Sequence, residues 1–112
     1  LIYGIPAYSQ AVLKIDPSTD SVETFGNLGS LSYKWWHAVV PASGVIYAFP
    51  AFARSILKID PSTDSITTVG DLGSGSYKWR HALLASNGNI YGVPADATSV
   101  LKIVPDPPTT TA

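Results

Sequence analysis

The chain has 112 residues, and seven Lys and Arg stand against eight Asp and Glu; the net charge of −1 excludes the broad basic field that nucleic acid or an anionic membrane surface requires. Only 13% of the residues are charged, about half the usual ~25% share, while 46% are hydrophobic, which excludes a disordered chain and points to surfaces meant to be covered. There is no cysteine, so disulfides and thiolate metal sites are excluded, and no apolar run approaches the roughly 18 residues of a membrane helix.

Gly, Pro and Asp/Ser/Thr clusters interrupt the chain about every ten residues, which leaves room for short strands and none for an ordinary helix. Runs rich in Val, Ile, Tyr and Phe predict strands at Ile2–Ile5 and Val12–Ile15, and Pro6 is expected to stop the ladder after the first. Asp16-Pro17-Ser18-Thr19-Asp20 reads as a hairpin turn, because Pro presets φ and the leading carboxylate accepts turn N–H groups. A strand at Val22–Phe25 follows, then a Gly- and Ser-rich connection, Gly26–Lys34, suited to crossing into a new sheet. Strand His37–Val40 turns through Gly44 into Val45–Phe49, which closes on Pro50. The same elements then return: Ile56–Ile59, the turn Asp60–Asp64, Ile66–Val69, the connection Gly70–Lys78, His81–Leu84, the turn Asn87-Gly88-Asn89, Ile90–Val93 before Pro94, and Val100–Ile103.

The recurrence is literal. Ile2-Tyr3 returns as Ile46-Tyr47 and Ile90-Tyr91, the block Leu13 to Ser21 returns unchanged as Leu57 to Ser65, and residues 2–45 match 46–89 at 25 of 44 positions. Four short antiparallel strands and a crossover, repeated at a little over forty residues, describe β-propeller blades. Ile-Tyr followed by Leu-Lys-Ile-Asp-Pro-Ser-Thr-Asp resembles the blades of YVTN-type, streptogramin-lyase-like and NHL propellers, a likeness that covers residues 1–104 and implies a secreted or cell-surface protein. The Gly-Gly doublet of kelch blades and the Trp-Asp pair of the WD class do not occur, and the likeness to streptogramin lyases brings no matched histidines.

The expected architecture is therefore all-β: four-stranded antiparallel blades in a repeat region over 1–104, with units 2–45, 46–89 and a partial 90–104. The first unit starts at its second strand and the last stops after its third, so the blades are expected to be completed by neighbouring repeats or by other chains, in a ring or an open filament. Residues 105–112 read as a Pro/Thr-rich tail or linker resembling O-glycosylated stalks, with Thr109, Thr110 and Thr111 as acceptors.

Two clusters carry candidate binding chemistry, Tyr33, Trp35, Trp36 and His37 in one unit and Tyr77, Trp79, Arg80 and His81 in the next. Flat rings beside donors can stack on sugars and bond their hydroxyls, and the same rings can equally fill the space between blades. Trp36 against Arg80 is the informative pair, since a core position does not exchange an indole for a guanidinium; this position is expected to face solvent or a partner. His37 and His81 could share a metal only if their strands meet, and the Asp16/Asp20 and Asp60/Asp64 pairs fit turn capping better than a calcium loop. No catalytic residue, metal site or cofactor is assigned: the chain has one Glu, Glu23, no nucleophile elbow and no phosphate loop, and near-identical units offer equivalent sites where catalysis needs unlike groups together. The expected function is a non-enzymatic extracellular assembly module whose partners are copies of itself or adjoining repeats; the alternative is a multivalent carbohydrate-binding propeller.

Overall fold

The computed structural model describes residues 1–29, 34–72 and 78–105, with the side chain of Arg80 apart. Ten strands make up its regular structure and no helix occurs among these residues: β1 (Ile2–Gly4), β2 (Val12–Asp16), β3 (Ser21–Phe25), β4 (Trp35–Val39), β5 (Ile46–Pro50), β6 (Ile56–Asp60), β7 (Ser65–Val69), β8 (Trp79–Leu84), β9 (Ile90–Pro94) and β10 (Leu101–Ile103). They form three antiparallel sheets in simple meander order, β1-β2-β3, β4-β5-β6-β7 and β8-β9-β10. The all-β expectation and the strand positions hold to within two residues, while residues 30–33 and 73–77 of the two predicted connections lie outside the described residues.

The turns follow local chemistry. Asp16 Oδ1 accepts from the Ser18 amide at 3.0 Å and the Ser18 hydroxyl at 2.7 Å, and Asp60 does the same for Ser62 at the same distances. Asp20 and Asp64 end these turns in the left-handed region at φ 56° and 53°, a conformation Asp tolerates better than most residues. Gly44 and Gly88 supply φ of 83° and 88° in the hairpins after β4 and β8, as their turns demand. The prolines act on one side only. Pro50 and Pro94 are the last residues of β5 and β9 and stay in register with Trp35 and Trp79, whereas pairing toward the other neighbour has already stopped at Ala48 and Gly92. The expectation that these prolines end all ladder pairing is thus corrected, because Pro lacks a donor but keeps its carbonyl.

Strand alternation sends the side chains of the central sheet to opposite sides. Ile46 and Ala48 of β5 with Leu57 and Ile59 of β6 join Val12, Tyr3, Ile5 and Phe25 of the first sheet in one buried cluster. Tyr47 and Phe49 with Ile56 join Trp79, Ala82, Ile90, Leu101 and Ile103 in a second cluster against the third sheet. The two interfaces use residues 44 positions apart: Tyr3, Ile5 and Val12 in the first stand where Tyr47, Phe49 and Ile56 stand in the second. Facing them, Trp35, Ile46, Leu57 and Ile59 are answered by Trp79, Ile90, Leu101 and Ile103. One side of each sheet is therefore a fixed set of projecting side chains, and the other a fixed receiving surface.

Two buried lysines tie successive sheets together. Lys34 sends its amide to Ala7 O at 3.0 Å and its Nζ to Ala7 O and Tyr8 O at 3.2 and 3.3 Å, all in the loop after β1. Its own carbonyl accepts from Ala51 and Ala53, both at 3.1 Å, in the loop after β5. Lys78 repeats the arrangement one sheet on, with its amide at 3.1 Å and its Nζ at 3.2 Å from Ala51 O, and its carbonyl taking Ala95 and Ala97. Burial pushes both ammonium groups below their ordinary pKa, and the carbonyl acceptors stand in for the lost water.

The central and third sheets approach tightly at Gly92, where an added Cβ would lie 2.5 Å from Phe49 Cε2 across the interface and 3.2 Å from Trp79 Cδ1 in its own sheet. Gly92→Ala is expected to destabilise the chain by about 1–3 kcal/mol through overpacking, measured by urea unfolding. Phe49→Leu should cost less in that background than alone, since it vacates the contested volume.

Candidate functional site

The edge strands β4 and β8 carry the sequences Trp-Trp-His-Ala-Val and Trp-Arg-His-Ala-Leu-Leu, and each has a register irregularity against its neighbour between the first residue and the histidine. A β-bulge inserts one unpaired residue and so reverses which face the next side chain takes. At β4 the inserted residue is Trp36. Trp35 consequently lies with Ala38 against the first sheet, while Val39 packs toward the third. In a regular strand Trp35 and His37 would share a face.

The bulges decide where the predicted binding residues lie. Trp35 and Trp79 are buried between sheets, and their indole N–H groups donate to Ser55 O at 2.8 Å and Ser99 O at 3.0 Å, so these rings are spent on packing. Trp36 is exposed, as the exchange with Arg80 implies. His37 is half-buried, His81 is exposed, and their rings lie 4.3 Å apart between centroids with a 36° tilt, so β4 and β8 do meet there. Tyr33, Tyr77, Thr109, Thr110 and Thr111 lie outside the described residues, as does the side chain of Arg80. Among the described residues, no three His, Asp or Glu side chains converge as metal ligands.

A polar contact missed in the sequence bridges the first and central sheets. Lys14 of β2 places Nζ 2.6 Å from Asp64 Oδ2, and the Tyr3 hydroxyl donates to Asp64 Oδ1 at 3.2 Å. The Lys14 hydrogen bond holds the Asp64 carboxyl below its ordinary pKa, and the same bond raises that of Lys14. The signal was present in the repeat itself, since Tyr3, Lys14 and the closing Asp of the turn all recur 44 residues on, but the partners sit 50 and 61 residues apart.

The outer faces of the first and third sheets show apolar side chains at positions that are covered elsewhere. Ile90 is 0% exposed where Ile2 is 53%, and Val12 is 0% exposed where Val100 is 61%. Val22 on the first sheet, and Leu83 and Val93 on the third, are exposed as well. These two faces are the receiving side of one sheet and the projecting side of another. Compared with known proteins, the chain matches no family model, no curated protein and no solved structure.

Burial first, and then the neighbouring His81 ring, lower the pKa of His37 below its usual 6.5. The unfolded chain therefore binds that proton more readily than the folded one, so this contribution is complete above about pH 6.5 and is lost as pH falls through the folded value. The thermal midpoint is expected to drop between about pH 7.5 and about pH 5.5, a window above the carboxylate range. His37→Gln should flatten that slope, measured by calorimetry across the same buffers.

Proposed function

We propose that this chain is a structural, non-enzymatic assembly module of the extracellular or cell-surface kind, whose sheets act as propeller-type blades and stack on further blades in a ring or filament. One observation carries the reading: residues buried in both internal interfaces recur, exposed, on the two outer faces. An apolar sheet face of this kind is stable when covered by another layer. The internal interfaces offer the pattern for that cover, since a sheet of the same sequence pattern already provides it twice. The low charge content and the Pro/Thr composition of the tail support a module that works among other copies outside the cell.

The interface is heterologous: a projecting side meets a receiving side, so each added unit presents the same receptive surface again. Equivalent units give equivalent contacts, which suits assembly and multivalent binding better than a reaction centre. A second reading, carbohydrate binding, is favoured by exposed Trp36 next to His37 on the β4 bulge. Trp36→Ala would abolish binding on a glycan array if that reading holds, and an array with no binding removes it.

Light scattering after size-exclusion chromatography tests the assembly. Masses above 11.8 kDa that grow with loading concentration are expected, and a folded monomer throughout overturns the reading. Val100→Ser should reduce the associated fraction while leaving unfolding stability within about 0.5 kcal/mol, because that side chain is exposed in the single chain.

A further inference from the structure

We infer that the third sheet of one chain docks head to tail on the first sheet of a second copy, with Lys102 and Tyr91 of the one closing on Asp20 of the other. This rests on the assembly reading above and fixes its partner and its register. The template is the contact of Lys14 and Tyr3 with Asp64, at 2.6 and 3.2 Å, which joins the projecting side of the first sheet to the receiving side of the central one. Lys102 and Tyr91 stand two repeat periods beyond Lys14 and Tyr3, on the outward, projecting side of the third sheet, and Asp20 stands one period before Asp64 on the outward, receiving side of the first.

Each member is prepared for the contact. Asp20 and Asp64 share the left-handed backbone, at φ 56° and 53°, and close turns of identical sequence, so their side chains start from the same local backbone geometry. Asp20 is exposed and, among the described residues, its carboxylate has no hydrogen-bond or ion-pair partner. Lys102 is exposed on β10. The Tyr91 hydroxyl accepts from Asn87 Nδ2 at 3.3 Å, which leaves its own proton to donate.

The apolar surroundings agree in kind. Val100 and Val93 flank Lys102 and Tyr91, as Val12 and Ile5 flank Lys14 and Tyr3, and Ile2, Leu13, Ile15 and Val22 surround the receiving end. The template contact is itself partly open to solvent, with side-chain exposures of 17% for Lys14 and 38% for Asp64. Its part is to set register and polarity, which is what a charged pair at a rim supplies.

Charge reversal separates this from other modes of association. In sedimentation velocity, Lys102→Glu and Asp20→Lys are each expected to weaken self-association at least about tenfold, through like charges facing one another. An equimolar mixture is expected to return to within about threefold of the unaltered chain, because the carboxylate introduced in one variant then meets the ammonium introduced in the other, and Lys102 of the second still meets Asp20 of the first. Association that ignores both reversals, or a mixture that stays dissociated, overturns the inference and leaves the assembly reading standing; a monomer at every concentration overturns both. Should Lys at the left-handed position disturb folding by circular dichroism, Asp20→Asn keeps the backbone and should weaken association too. A chain without cysteine allows a second measurement: the double variant Asp20→Cys, Lys102→Cys treated with a short bismaleimide should give a ladder of multimers, and each single variant no more than dimers. A double variant that associates without cross-linking overturns the register.

Discussion

A meander of three or four short strands has two faces and no means of folding both inward, so its stability lies in what is laid against it. That constraint organises this chain. The central sheet has a neighbour on each side, and its two middle strands, β5 and β6, are apolar on both faces in consequence: Ile46, Ala48, Leu57 and Ile59 serve one neighbour, Tyr47, Phe49 and Ile56 the other. Between Ile56 and Ile59 of β6 only Lys58 interrupts the apolar run, and its ammonium lies 5.8 Å from the centroid of the Tyr47 ring, where the stem can lie along apolar surface. The low share of charged residues follows from this two-sided burial and needs no separate cause.

Stacking alone leaves the sheets free to slide, and the polar groups act against that. Lys34 and Lys78 each bond the loop of the preceding sheet through the amide and Nζ, and the loop of their own sheet through the carbonyl. Such a bridge is directional and short, so it fixes the offset that a smooth apolar interface would leave open. The indole N–H groups of Trp35 and Trp79 add a second fixed point on Ser55 and Ser99. The bulges at Trp36 and Arg80 make this possible, because they turn the preceding tryptophan into the interface while the histidine that follows meets its counterpart on the next strand.

Much of the fold was legible because its determinants are local. Strand ends follow from turn residues, the Asp16 and Asp60 caps act within two residues, and the repeat multiplies every signal. What was missed depends on distance. β4 and β8 begin at Trp35 and Trp79, two residues earlier than alternation predicts, because a bulge breaks the period of two without any special residue type. Lys34 and Lys78 read as the polar end of a connection, and nothing next to them in sequence reveals acceptors 26 and 27 residues away. Of the candidate cluster, the exposed Trp36 was legible from its exchange with Arg80. The buried role of Trp35 and Trp79 could be read only as one of two alternatives, since an aromatic ring serves a core and a sugar site equally well.

Association of the proposed kind has to compete with pairing at the open strand edges, and the magnitudes favour the faces. The terminal edges are short: β1 spans three residues and β10 three, the latter with Lys102 at its centre. A three-residue edge offers two or three backbone hydrogen bonds, each worth only about 0.5–1.5 kcal/mol net against water. Fully burying a Val or Ile contributes about 1.5–3 kcal/mol, and Ile2, Val22, Val93 and Val100 on the two facing surfaces, now 47–63% exposed, would each gain roughly half of that. Edge pairing would also leave those surfaces in water, whereas stacking covers them. The arrangement that removes more apolar area is also the one the chain has adopted twice within itself.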